Sequence, residues 1–261
     1  MDEYIAVSKA DGIATITINR AEKRNAIGYH GWLELKRIAS DLSNDAHSKV
    51  VILTGAGDQA FSAGADINDF DLYRNNKANA KIYGTAFESA LDAIESLAQP
   101  TISLIKGYCI GGGCELTMAA DLRIAADNSY FGIPAAKLSI LIGFKEMRRL
   151  VNLVGKGNAS YILLSARLIP VTEATHMGLV NKVLPLSKIN EYTYSLAKEI
   201  TALAPLSHQG HKKILQTIMN TKFTNLPETN EDIVFSNFSS EDFQEGRKAF
   251  IEHRPPQFKG R

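Results

Sequence analysis

The chain has almost nothing with which to cross-link itself. Its 261 residues include two cysteines, Cys109 and Cys114. Neither sits in a C-x-x-C or Cys/His pattern, which argues against a disulfide framework and a thiolate metal site. The expectation is two reduced, buried thiols. Charge of either sign is not in excess: 29 Lys and Arg stand against 28 Asp and Glu, a formal net charge of +1. That leaves no electrostatic case for nucleic acid or an acidic membrane surface as partner. No apolar run reaches the roughly 18 residues of a membrane span. The start, Met1-Asp2-Glu3-Tyr4, is acidic and lacks the apolar segment of a signal peptide, so a reducing cytoplasm is the expected setting. His208 and His211 have H-x-x-H spacing but no third ligand, and no metal is expected. Low-complexity linkers and clean internal repeats are also missing.

What remains is the composition of an ordinary globular chain, 45% hydrophobic and 22% charged. It is long enough to bury a large core in one or two domains. Apolar runs at 5–8 and 13–19 flank Lys9-Ala10-Asp11-Gly12, and the Asp-Gly pair predicts a hairpin. A helix is predicted over 31–42, with Leu35, Ile38, Ala39 and Leu42 on one face. Strands at 50–53, 101–106 and 122–126 alternate with helices at 75–97 and 113–120. Strand–helix alternation with wholly apolar strands predicts a partly parallel sheet covered by helices, an α/β fold. Beyond residue 144 the pattern is mainly helical, over 144–154, 158–164, 171–177, 189–204, 207–221 and 242–252. Trp32 is expected to pack, and Arg148 and Arg149 to form surface or interface ion pairs.

Two small-residue loops follow the strands at 50–53 and 101–106: Phe61-Ser62-Ala63-Gly64-Ala65-Asp66 and Gly111-Gly112-Gly113-Cys114-Glu115-Leu116. Without bulky side chains, a ligand can approach the backbone and meet its N–H groups. Two N–H donors fixed in advance suit an oxygen that gains negative charge in a transition state. The second loop also carries a carboxylate, Glu115. Nucleotide-binding readings fail on detail. Gly113 is followed by Cys114, where a Walker loop needs Lys, and the third glycine of a Rossmann fingerprint is Leu116.

The two loops in this order and spacing resemble the crotonase superfamily, the enoyl-CoA hydratases and isomerases. Asn25-Ala26, Met177-Gly178-Leu179-Val180, and Glu245-Gly246-Arg247 with Phe250 fit the same pattern, so the resemblance runs from Ile5 to about Phe258. It implies a crotonase-like spiral of ββα units over residues 1–200, holding the acyl-CoA site. A helical region over 201–261 would follow and assemble a homotrimer or a dimer of trimers. It also implies an acyl-CoA thioester as substrate, with coenzyme A part of that substrate and no permanently bound cofactor. By resemblance, the N–H groups of Ala65 and Gly112 form the oxyanion hole, and Glu115 is the general acid or base. Lys23, Arg24 and Ala26 match a segment at the nucleotide end of CoA. Ala63, Asp66 and Ile67 belong to the stretch lining the CoA cleft, and Gly143 matches a glycine beside the catalytic water. Phe250 matches an aromatic that packs on CoA from a neighbouring subunit. The acyl pocket is expected from residues 68–83 and the 140–144 turn.

One departure weighs more than these matches. In Phe131-Gly132-Ile133-Pro134-Ala135-Ala136, the family's hydratases place a second catalytic glutamate after the proline, and here that position is Ala135. A methyl group moves no proton. Glu146, Asp69 and Asp71 are the acids near enough in sequence to substitute. Hydration of a 2-enoyl-CoA is the leading expectation. Decarboxylation or thioester hydrolysis on the same oxyanion hole stays open, as does a weakly catalytic acyl-CoA-binding role.

Overall fold

A computed structural model describes residues 4–220 and 240–261. Residues 1–3, the head of the acidic start, lie outside the described residues. So do 221–239, which hold Thr221 and the middle of the expected 201–261 helical region.

The chain opens with the expected hairpin, β1 (Ile5–Ala10) and β2 (Ile13–Ile18), paired antiparallel. Asp11 and Gly12 at its turn both take positive φ, 51° and 78°. That is the backbone a two-residue Asp-Gly turn needs to match strand twist. From β2 outward the sheet is parallel: β3 (Val50–Gly55), β5 (Thr101–Ile105), β7 (Leu122–Ala126) and β10 (Lys182–Leu184) follow in order. Strand β3 shows why the apolar run is unbroken. Val51 and Leu53 enter the main core, while Val50 and Ile52 enter a second core on the opposite face. Helix α7 (Ile189–Thr201) closes that second core with Ile189 and Ala197.

A second sheet, not anticipated from sequence, is built from β4 (Ala60–Ser62), β6 (Tyr108–Ile110), β8 (Tyr130–Gly132) and β9 (Ile169–Pro170). Its first three strands are parallel neighbours. Each follows a strand of the large sheet, giving the units β3–β4, β5–β6 and β7–β8. Helices close the units: α2 (Phe70–Tyr73) and α3 (Lys77–Glu95), then α4 (Gly112–Met118), then α5 (Phe144–Ser165). These are the expected ββα units.

Helix α1 (Tyr29–Ser43) packs along α3, with Trp32, Leu35, Ile38 and Leu42 buried. Asn76 caps α3 by accepting a hydrogen bond from the Asn79 N–H. Helix α5 breaks at Gly155 (φ 72°, ψ 165°), so it runs as two segments, as the 144–154 and 158–164 periodicities predict. The remaining helices are α6 (Val171–His176), α8 (Pro205–Asn220) and α9 (Glu241–Ile251). Buried Lys212 fastens α8 to the core through Asp121 (2.7 Å) and the Gln99 carbonyl (2.8 Å). Among the described residues no helix is long and apolar enough to cross a membrane.

Candidate active site

The small sheet brings the two loops together. Strands β4, β6 and β8 end at Ser62, Ile110 and Gly132, so the segments after them emerge side by side at the C-terminal edge. This is where parallel sheets collect ligand-binding loops. The Gly111 N–H donates to the Gly132 carbonyl (2.8 Å) and seals the ends of β6 and β8. Gly111 itself (φ 52°, ψ −126°) adopts a conformation open only to glycine before α4 begins. Gly113 packs flat on β4, where a Cβ would lie 2.6 Å from the Ser62 Cβ.

Residues 24–27 run alongside the first loop and hold its peptides in place. Ala63 N–H donates to Arg24 O (2.9 Å), Ile27 N–H to Gly64 O (2.8 Å), and Asp66 N–H to Ile27 O (3.1 Å). Buried Asn25 anchors this strip, donating to the carbonyls of Ala60 (2.7 Å) and Ala56 (3.0 Å). Ser62 Oγ donates to Asn25 O and accepts from the Gly64 N–H. Every neighbouring N–H of the loop is thereby committed. Those of Ala65 and Gly112 make no hydrogen bond among the described residues. Gly112 is the first residue of α4, so its N–H has no partner within the helix.

A cleft of about 720 Å³ lies in front of these two donors. Ala63, Ala65, Ile67, Gly112, Glu115 and Gly143 all line it. Its far walls come from α3, the 138–143 turn and the start of α5, which overlap the 68–83 and 140–144 segments expected for the acyl pocket only in part. Glu115 is 5% exposed. Burial first and the Glu146 charge second push its carboxyl up to about 8, against the opposing pull of Arg74 and Arg149. Ala135 lines the same cleft as part of the turn after β8.

Trp32 packs as expected and also builds the cleft: its Nε1–H donates to Tyr83 Oη (2.8 Å) and its ring meets Phe87 edge-on. The Arg74 guanidinium lies 4.0 Å from the Tyr83 ring centroid, inside the cleft wall. Arg149 departs from the surface role expected of it. It is buried and bridges Asp92 (2.7 Å) and Glu95 (2.6 Å) of α3, while Arg148 reaches Glu95 at 3.5 Å.

Several predicted residues lie elsewhere. Asp66 turns away from the cleft and pairs with Arg20 (2.8 Å), which also holds Tyr4 and the Ala26 carbonyl. Although its own burial would raise it, that guanidinium keeps the Asp66 carboxyl below its usual range. Lys23 and Arg24 are exposed beside a separate groove that Arg24 helps line, and Ala26 is half-buried. Phe250, on α9, is 83% exposed and lines an apolar groove with Phe243 and Phe258, apart from the cleft. The clamp made by Asn25 and Ser62 escaped the sequence reading, although Asn25 was singled out for its resemblance.

Comparison with known proteins finds relatives along nearly the whole chain. The family model described as enoyl-CoA hydratase/isomerase matches residues 8–261. The short-chain-enoyl-CoA hydratase of Clostridium acetobutylicum is 33% identical over 250 residues, 96% of this chain and 95% of that protein. The crotonyl-CoA hydratase of Syntrophomonas wolfei subsp. wolfei is 34% identical over 257 residues, 98% of each. The crystal structure of an enoyl-CoA hydratase/carnithine racemase from Magnetospirillum magneticum is similar with a TM-score of 0.96 at 34% identity. It covers 100% of this chain and 97% of that one.

Proposed function

The chain belongs to the enoyl-CoA hydratase/isomerase family, and from that membership we propose that it adds water across a 2-enoyl-CoA to give a 3-hydroxyacyl-CoA. One observation carries the reading: a buried carboxyl held near 8, Glu115, shares a cleft with two uncommitted N–H donors. Attack at Cβ drives charge onto the thioester oxygen, and the Ala65 and Gly112 N–H groups receive it. Neither donor needs a side chain, which accounts for the small residues around them. A carboxyl near neutrality can act as acid or base at working pH.

Around that centre we place coenzyme A as part of the substrate. Lys23, Arg24 and Ala26 would meet its nucleotide end, and Phe250 would pack on it from a neighbouring subunit. Residues 201–261 would assemble the homotrimer, alone or as a dimer of trimers.

Loss of the conjugated absorbance of crotonyl-CoA and longer enoyl-CoAs tests the reaction. Wild-type protein consumes them, and Glu115→Gln loses ~10²–10⁴ in rate. Turnover of a malonyl-type CoA without turnover of any enoyl-CoA would replace hydration with decarboxylation. Tight acyl-CoA binding with no turnover would reduce the site to a binding role.

A further inference from the structure

Hydration moves two protons, one from water and one to Cα, and Ala135 can move neither. Three carboxylates line the cleft: Glu88, Glu115 and Glu146. Glu146 stands apart from ordinary helix-start glutamates. It is 1% exposed, and among the described residues neither of its oxygens has a hydrogen-bond partner beyond its own backbone N–H. Leaving a buried carboxylate unpartnered is costly and rare. Arg149, whose charge acts on Glu146, spends its Nε and Nη2 on Asp92 and Glu95, and its buried Nη1 makes no hydrogen bond to Glu146. Glu146 Oε2 lies so tightly against Gly143, itself a cleft residue, that a Cβ there would collide with it.

Glu88 is half-buried on α3 and also faces Gly143, whereas Glu146 is wholly buried; Asp69 and the phenol are occupied. Asp69 accepts a hydrogen bond from the Tyr29 N–H (2.5 Å) at the start of α1. Asp71 is exposed and does not line the cleft. The Tyr83 hydroxyl accepts from Trp32 and donates to the Ile27 carbonyl (3.4 Å).

We propose that Glu146, from the first turn of α5, is the second proton-transfer residue of the site and replaces in function the carboxylate missing at Ala135. The proposal rests on the hydration reading. One member of the Glu115–Glu146 pair starts ionised and the other protonated. The ionised member takes a proton as a water O–H bond breaks and the oxygen bonds to Cβ. The alkene electron pair moves onto the thioester oxygen, then returns as the protonated member delivers its proton to Cα. The pair ends with its one proton on the other member.

The electrostatics agree. Burial raises both carboxyls; the Glu146 backbone N–H and the Arg149 charge pull Glu146 down, and the Glu88 and Asp92 charges push it up. Like charges that share a site disfavour double ionisation, and the titration of such groups belongs to the pair.

The test is hydration of crotonyl-CoA by wild type, Glu146→Gln, Glu88→Gln and the double variant Ala135→Glu/Glu146→Gln. Acyl-CoA affinity and Tm are read beside it. Glu146→Gln is expected to lose ~10²–10⁴ in rate, with affinity kept and Tm equal or higher, since a buried charge has been removed. Its residual activity should retain one limb of the wild-type bell-shaped pH profile. The double variant should regain rate over Glu146→Gln, which a structural role for Glu146 would not produce. Hydration by Glu146→Gln at the wild-type rate overturns the assignment. So does loss in Glu88→Gln alone, or a double variant no faster than a misfolded Glu146→Gln. Wild-type protein inert toward every enoyl-CoA overturns the hydration reading and this assignment with it.

Discussion

Gly64 and Gly112 meet where the two loops cross: a methyl group on Gly64 would stand 3.2 Å from the Gly112 nitrogen and 2.7 Å from the Ile110 carbonyl oxygen. Gly64 also holds φ at 93°, a backbone that side chains resist. Gly64→Ala should therefore push the two donors apart. The expected loss in kcat is ~10²–10³, the worth of one oxyanion donor. Steady-state kinetics with crotonyl-CoA checks it, and unchanged kcat would separate Gly64 from the donor geometry.

Glu115 links activity to a pH-dependent stability. Its carboxyl is raised from an ordinary 4.5 to about 8, so the folded chain holds that proton more tightly than the unfolded chain does. The stabilising contribution is complete below pH 4.5 and drains away as pH rises toward about 8. For so buried a group it amounts to several kcal/mol in order of magnitude. Glu115→Gln should flatten the fall in Tm across that window, a change visible in thermal melts at stepped pH.

Arg74 works on the same carboxyl from across the cleft, and its charge lowers the Glu115 value. Arg74→Met keeps an apolar stem over Tyr83 and removes the charge. Glu115 should then titrate higher, moving the alkaline limb of the rate profile upward. A limb that stays in place or moves down would break the link.

Asn25 is a scaffold with no chemistry of its own. Asn25→Ala strands the buried carbonyls of Ala56 and Ala60 and places alanine at φ 55°. A cost of ~2–4 kcal/mol is expected from the orphaned acceptors. Urea unfolding should show it, with kcat falling as the strip beside Ala65 loosens.

Long elements of the fold could be read directly from the sequence, and the short ones could not. Helices over 77–95 and 144–154 carry many turns of apolar spacing, and the β1–β2 hairpin announces itself through Asp11-Gly12. The three-residue strands β4, β6 and β8 are too short to show a period, and their pairing comes from the strands beside them. Yet that sheet aligns the loops, so the loops were visible while the reason for their meeting was hidden. At the start of α5 the pattern is inverted: Phe144 is 97% exposed while Glu146 is buried. A run of Phe-Lys-Glu-Met-Arg read alone puts the phenylalanine inside. Gly143 of the adjoining turn covers Glu146 Oε2, and α3, distant in the chain, brings Glu88 to the same spot.

The Arg149 bridge to Asp92 and Glu95 has a consequence for substrate size. It ties the first segment of α5 to α3, so these two walls cannot part without stripping the buried Arg149 guanidinium of its partly exposed carboxylate partners. The segment 67–74 and the 138–143 turn line the same cleft. On the acyl-CoA reading proposed above, a lengthening acyl chain would meet the α3–α5 side of the cleft as a fixed wall.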